Sequence, residues 1–398
     1  MSKSLRICLI ISGDGLKWFA GPEYIKNIAM ALGGLPSDIR STFNLSLLCS
    51  KNLNQDILDQ VNPYIDTLYY EEEDLLPTTI FNKVRWRLIK KIFHEFDPRL
   101  EKFLKKKNID FVYPYLSKNS AHKFFRSAQC IFDFQHKYLT QFFDENEIRG
   151  RDQWFQRVAE SSAVVVLNSK SAESDFHKFF PEYTDKTKVV SFKTTPLMLW
   201  YEGEATQIQH KYHLPEKFFV ISNQFWQHKN HLVVFKALKI LAESEVHPNV
   251  VCTGYIYDSR NPSYSNEVLR MIHTLDLSKQ IYLLGLVPKF DQIQVMRRSI
   301  AVIQPSLFEG WSTLVEDARL LGKAIILSNL SVHREQNPPN SIFFEPESPQ
   351  DLSLKMLKFW QTLSPGPDLE KEQQALENAR QEVQSFGYRF LELAKGAL

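Results

Sequence analysis

The stretch PSLFEGWSTLVEDARLLG, Pro305 to Gly322, joins a strand to a helix through an acidic turn, and its reading decides the fold. The apolar run before it, Ile300-Ala301-Val302-Ile303, has the pattern of a buried strand. The chain then turns through Glu309-Gly310 and enters a short helix. Thr313 and Glu316 have capping-box spacing, so hydroxyl and carboxylate are predicted to satisfy free N–H groups at the helix start. Gly322 fits the left-handed stop after the last turn. A helix N-terminus offers free N–H donors and partial positive charge, which favours an anion such as a diphosphate. Glu309 and Asp317 flank that end, placed to accept hydrogen bonds from sugar or ribose hydroxyls.

Outward from this block the chain alternates strand and helix patterns. Arg6–Ile11, Leu45–Cys49, Ile109–Tyr113, Cys130–Phe134, Ala163–Leu167 and Lys188–Phe192 read as strands of a first half, with helices at Pro22–Leu32, Arg149–Ser161 and Ser171–Phe179. Residues Glu202 to Pro215 are polar and lack apolar periodicity, and read as a linker. A second alternation follows. Phe218–Ile221, Val250–Thr253, Ile281–Leu284, Ile300–Ile303 and Ala324–Leu327 are its strands, and His231–Leu241 is its first helix. Asp351 to Ala394 is helical apart from Ser364-Pro365-Gly366-Pro367. This alternation predicts an α/β protein whose parallel sheets are covered on both faces. Ligands of such sheets bind at the carboxyl ends of the strands, so two α/β domains predict a cleft between them.

With 398 residues, 43% hydrophobic and 24% charged, the chain has an ordinary globular composition and room for two or three domains. A net charge of +2 gives no argument for nucleic acid. Cys8, Cys49, Cys130 and Cys252 are scattered, without the spacing of a metal site, which fits a reduced cytoplasm. Met1 to Ile11 lacks the apolar core of a signal peptide, and no run approaches the roughly 18 apolar residues of a membrane span. Asn82 to Asn108 carries ten Lys or Arg against three acids. Leu88, Ile89, Ile92, Phe93 and Phe96 recur there at helical spacing, as in a basic helix that lies on an anionic membrane or packs on its own domain.

The Pro305–Gly322 block resembles the E-x7-E signature of retaining GT-B glycosyltransferases of family 4, the sucrose-synthase-like group 1 transferases. The resemblance implies two Rossmann-like domains facing a central cleft, here 1–205 on the acceptor side and 216–369 binding the nucleotide sugar. It implies a final helix, 370–398, crossing back to the first domain. Glu309 matches the signature's first acid, beside the donor sugar. Asp317 matches the second, which holds the ribose, with Asp in place of Glu. Gly310, Trp311, Ser312 and Thr313 then lie along the diphosphate.

Other motifs extend the resemblance. Asn223 to Asn230 follows the first strand of the second half, where the family has Arg-x-x-x-x-Lys on the diphosphate. Lys229 supplies the lysine, and Gln224 stands in the arginine position, so one charge is missing. His136, after the strand ending in Asp133-Phe134, resembles a histidine that holds the donor sugar. Gly15 and Gly21 fall in a glycine-containing loop that faces donor phosphate and acceptor. Gly13 and Gly15 alone give a broken dinucleotide fingerprint, with Trp18 where a third glycine belongs.

The expected activity is metal-independent front-side transfer of a sugar from a nucleotide-diphosphate sugar, with no cofactor. The acceptor is a glycan, a lipid-linked glycan or a small molecule. The expected location is cytoplasmic, with 82–108 a candidate for peripheral contact with the inner face of the membrane. The alternatives are a GT-B sugar-nucleotide epimerase, a glycan phosphorylase, or a non-catalytic relative, the last favoured by the departures at Gln224 and Asp317.

Overall fold

In the computed structural model, residues 4–13, 20–75, 98–116 and 124–396 are described. Gly15 and residues 82–97 of the basic stretch lie outside them. The chain divides into two compact units. The first takes Met1–Phe132, Asp152–Thr195 and Gln381–Leu398, and the second Asp133–Arg151 and Pro196–Arg380.

In the first unit, β1 (Leu5–Ile11), β2 (Phe43–Cys49), β3 (Thr67–Tyr70), β4 (Phe111–Tyr113) and β5 (Arg126–Ser127) form a parallel sheet in the order β3-β2-β1-β4-β5. A second parallel sheet, in sequence order, holds β6 (Gln129–Ile131), β7 (Val165–Leu167) and β8 (Thr187–Val189). β1 and β2 are apolar along almost their whole length and buried, as expected of a strand covered on both faces. The helix Ala20–Gly33 carries the buried side chains Tyr24, Ile25, Ile28 and Leu32, and Gly21 is buried in its first turn. Pro22 lies in that turn too, where a missing N–H costs nothing.

The second unit is a six-stranded parallel sheet in the order β11-β10-β9-β12-β13-β14. Its strands are β9 (Phe219–Ser222), β10 (Val250–Thr253), β11 (Ile281–Gly285), β12 (Ala301–Gln304), β13 (Ile325–Ser328) and β14 (Ser341–Phe344). This is the doubly wound order 3-2-1-4-5-6. Two apolar clusters cover the sheet. One joins Val234, Phe235 and Leu238 of the helix His231–Ala242 to Leu352 and Met356 of the helix Pro349–Thr362. The other is built on Ile293 and Met296 of the helix Lys289–Arg298 and on Leu314, Val315 and Ala318 of the helix Thr313–Leu320. The two Rossmann-like units make the fold GT-B.

The stretch Glu202–Pro215 is not the unstructured linker its polarity suggests. It holds the end of the helix Met198–Glu202 and all of Ala205–Lys211. Leu214, Ile208 and Tyr212 pack into the apolar cluster that holds Ile293 and Met296, and polar side chains add to their hold. Lys211 Nζ and Tyr212 Oη each donate to Asp291 Oδ2 at 2.6 Å, and Gln209 Nε2 donates to Pro215 O at 2.8 Å. The last helix runs from Leu369 to Lys395. Glu372 near its start receives both Arg297 Nε (2.7 Å) and Nη2 (2.8 Å) in the second unit. Phe386, Phe390 and Leu391 near its end are buried in the first. Among the described residues no helix is long and apolar enough to cross a membrane.

Candidate functional site

β9 and β12 are hydrogen-bonded neighbours at the middle of the six-stranded sheet, where the strand order reverses. Loops leaving two such strands diverge and open a crevice at the carboxyl edge. The two motifs read from the sequence are these two loops. Leu307 N–H donates to His228 O at 2.8 Å, and Asn230 Nδ2 donates to Pro305 O at 3.1 Å. Asn230 takes a left-handed conformation (φ 56°) between the turn Gln227–Lys229 and the helix His231–Ala242.

So tied, the loops bring Lys229 Nζ within 2.6 Å of Glu309 Oε1. A lysine just ahead of a helix N-terminus is poorly placed for the helix dipole, and the carboxylate offsets this. The same oxygen accepts from Gln304 Nε2 (2.8 Å) and Ser306 Oγ (2.7 Å). Glu309 Oε2 takes no hydrogen bond among the described residues. Gln304 is fully buried at the end of β12. Asn223 Nδ2 donates to its Oε1 at 2.6 Å, which fixes its amide so that Nε2 faces Glu309 and also Ser312 Oγ at 3.0 Å. Ser328 Oγ donates to Ser306 O at 2.7 Å, and His333 Nδ1 lies 2.9 Å from Ser328 O. Burial holds the His333 imidazole below its ordinary range, against the opposing pull of Glu309.

The helix start differs from the capping-box expectation. Ser312, not Thr313, is the N-cap residue, and its side chain makes no capping bond. Gln336, from the helix Ser331–Gln336, does the capping. Ser312 N–H donates to Gln336 Oε1 at 3.1 Å. Gln336 Nε2 donates back to Ser312 O and to Glu316 Oε1, each at 3.0 Å. Glu316 also faces Arg319 Nε at 3.5 Å, so its carboxylate lies between Gln336 and Arg319. The N–H groups of Thr313 and Leu314 are bonded to nothing among the described residues, and Thr313 is exposed. Gly322 ends the helix at φ +56°, as read from the sequence. A Cβ there would come within 2.6 Å of Lys371 O.

Asp317 is buried, and its Oδ2 pairs with Lys289 after β11. Gln224, Gly310 and Trp311 line the two loops and are half-buried. His136 belongs to the same unit, on the short helix Gln135–Tyr138, capped by Asp133 Oδ1 accepting from Gln135 N–H at 2.9 Å. It is fully buried and meets Phe143 edge-on. Tyr138, two residues on, stacks on Phe308 beside Glu309 with ring centroids 5.5 Å apart. The unit thus gathers Lys229, Glu309, Gly310, Trp311, Ser312, Thr313, Asp317, Gln224 and His136, while Gly21 belongs to the other unit. Sequence reading missed Asn223, Gln304, Ser306 and Gln336. The available signal was a polar residue, Gln304, closing the apolar run Ala301–Ile303.

Residues 204–382 match the family model for Glycosyl transferases group 1, a span that contains the whole six-stranded sheet and both loops of the site. The chain therefore carries a group 1 glycosyltransferase domain, and the protein is a glycosyltransferase. None of the curated proteins matches the chain. Among solved structures, a glycosyltransferase from Rickettsia africae is similar at TM-score 0.66 and 16% identity, over 99% of this chain and 98% of that one. Anabaena HepE, solved in complex with UDP-glucose, is similar at TM-score 0.66 and 14% identity, over 98% of this chain and 100% of its own. Sucrose-phosphate synthase from Thermosynechococcus elongatus gives 0.64 and 14%, over 98% of each chain. At these identities the likeness is one of fold.

Proposed function

We propose that the protein is a retaining glycosyltransferase of family 4. It moves a sugar from a nucleotide-diphosphate sugar to a glycan, lipid-linked or small-molecule acceptor, without a metal, by front-side displacement. The observation that carries this reading is the Lys229–Glu309 pair at the strand-order reversal, beside a helix start with open N–H groups.

An ammonium has three N–H donors. One of Lys229's is held by Glu309, which leaves two for the phosphate oxygens. As the bond from the anomeric carbon to the diphosphate oxygen breaks, charge grows on the phosphate. Lys229 and the N–H groups of Thr313 and Leu314 meet it without having to reorganise. Gln224 adds neutral amide bonds, and Gly310 and Trp311 let the backbone run along the phosphates. Glu309 Oε2 accepts from a hydroxyl of the donor sugar, and His136 holds a second one. Asp317 takes the ribose while Lys289 stays at its side. The acceptor oxygen bonds the anomeric carbon on the face the diphosphate leaves, and the acceptor proton passes to a phosphate oxygen. Gly15 and Gly21 belong to the acceptor side. The reading places the enzyme in the cytoplasm, with 82–108 either packed on its own domain or a candidate for contact with the inner face of a membrane.

Thermal unfolding with a panel of nucleoside diphosphates and nucleotide sugars tests the donor site, led by UDP-glucose because HepE was solved with it. A ligand at 100 times its dissociation constant adds about 2.7 kcal/mol, which raises the midpoint by several degrees. The shift is expected for one base and lost in Lys229→Ala. Proton NMR of the sugar released by slow donor hydrolysis should show the donor's own anomer first. An inverted anomer, or no shift with any nucleotide, would overturn the proposal.

A further inference from the structure

Lys229 is positioned by a third loop that no motif marked. Arg260 lies seven residues beyond Thr253, the end of β10, in the segment that leads to the helix Tyr264–Thr274. Its side chain is only 12% exposed although it carries a charge. The guanidinium sits against two rings, 4.6 Å from the centroid of Trp226 and 4.6 Å from that of Phe143. Its edges reach two acceptors on different elements. Nη2 lies 3.2 Å from His228 Nδ1, next to Lys229, and Nη1 donates to Gln135 Oε1 at 3.1 Å, next to His136. Burial and the neighbouring cations Lys229 and Arg260 hold the His228 imidazole well below its ordinary range, so its Nδ1 can accept.

Asp258 holds the same loop to the same turn. Its Oδ2 accepts from Gln227 N–H and its Oδ1 from Arg260 N–H, both at 2.9 Å. Asn261 Nδ2 donates to Gln227 Oε1 at 3.2 Å. All of these residues lie in the second unit. A guanidinium suits this place because it is planar and rigidly forked, so it can lie flat against rings while its in-plane edges reach acceptors at a fixed spacing, whereas an ammonium is a compact point charge with no such plane.

We propose that Arg260 is a positioning residue that sets Lys229 and His136 at a fixed spacing for the donor. It holds the neighbours of both, His228 and Gln135, and its own charge is covered by the two rings and paired with Asp258 Oδ1, 3.7 Å from its Nε. This inference rests on the donor-site assignment of Lys229 and His136.

Inorganic pyrophosphate, which carries the diphosphate without a base or sugar, is the probe. Calorimetric titration into the full-length wild type, Lys229→Ala, Arg260→Met, Arg260→Lys and the double variant Arg260→Met/Lys229→Ala reads the geometry of Lys229. Arg260→Met keeps an unbranched apolar stem between the rings, so the fold is expected to survive, and near-UV circular dichroism checks it. Loss of one well-placed charge-assisted contact predicts about tenfold weaker binding for Arg260→Met. In the Lys229→Ala background the same change should cost less than twofold. Arg260→Lys should recover little of the loss, because the charge returns without the fork. With the donor selected by the nucleotide panel, turnover should fall about 100-fold, the cost of a displacement near 1 Å.

Wild-type binding in a folded Arg260→Met would overturn the inference. So would additive losses in the double variant, or full recovery in Arg260→Lys, which would make Arg260 a simple cation. If Lys229→Ala itself binds pyrophosphate like the wild type, the donor-site assignment fails first and takes this inference with it.

Discussion

Replacing Glu309 separates its part in the fold from its part in the chemistry, because its two oxygens are used differently. Oε1 accepts from Lys229, Gln304 and Ser306, and Oε2 takes no protein donor among the described residues. In Glu309→Gln the amide oxygen can keep the Oε1 place and all three donors, with NH2 in the Oε2 place. The Coulomb attraction at 2.6 Å is about 6 kcal/mol at an effective dielectric of 20, before desolvation. Most of that is cancelled by desolvation of the pair, and a lysine 19% exposed can still turn to water. The expected net cost is about 1 kcal/mol, roughly the weakening of charge-assisted bonds to neutral ones. Glu309→Ala instead strands three donors, two of them on fully buried side chains, and should cost about 3 kcal/mol. Turnover should fall about 100-fold or more in both variants, since a sugar hydroxyl that donated to Oε2 meets N–H groups or nothing. Urea unfolding gives the stabilities and initial-rate assays with the selected donor give turnover. Equal destabilisation of the two variants would refute the hydrogen-bond reasoning. Turnover of Glu309→Gln within threefold of wild type, with the fold intact, would refute the site.

The other expectations concern the frame around the site. Gln336→Ala leaves the buried Ser312 N–H without its acceptor and should cost about 2 kcal/mol in urea unfolding. Gln336→Glu should cost more, since it sets a second carboxylate against Glu316. Gly254→Ala puts a methyl 2.1 Å from Asn223 O at a backbone φ of +126°, and should cost about 3 kcal/mol and weaken nucleotide binding. Burial pushes the pKa of Lys323 down to about 7 from 10.5. The folded state then holds this proton less tightly than the unfolded chain. The cost of burying the charge is full below pH 7 and fades as pH rises towards 10.5. Relative to Lys323→Met, the wild type should therefore gain about 3 kcal/mol between pH 6.5 and 9.5. A flat difference across that window would show that Lys323 does not bury a charge.

Long apolar runs were legible because their pattern is set by burial alone. β1, β2, β9, β10 and β12 fall within a residue or two of where periodicity put them. β3, β5 and β14 were not read. Thr67–Tyr70 has no buried residue, Arg126–Ser127 is two residues long, and Ser341–Phe344 has one buried side chain, so none carries a core strand's signal. The segment Ala205–Lys211 reads as linker because only Ala205 and Ile208 along it are apolar, and the rest of its hold on the helix Lys289–Arg298 comes from hydrogen bonds of Gln209 and Lys211. The capping box was misassigned for a related reason. Thr313-x-x-Glu316 has the right spacing, but a glutamine twenty-four residues after Ser312 satisfies the cap. Local spacing reports local partners, and here the partner comes from the next crossover.

The same limit bears on the missing arginine at Gln224. Counting sequence charges leaves the donor loops with Lys229 and one cation too few. In the structure Lys229 pairs with Glu309, and Lys289, which no motif marked, pairs with Asp317. Glu309 and Asp317 therefore each hold a lysine. These pairs are close to neutral, so on the proposed reading attraction of a diphosphate falls to the helix start, worth about half an elementary charge, and to the spare N–H donors of the lysines. Such a site binds by geometry more than by net charge. On the proposed reading, what fixes Lys229, the Asp258–Arg260 loop on one side and Glu309 with Gln304 on the other, then matters more to the site than a second cation would.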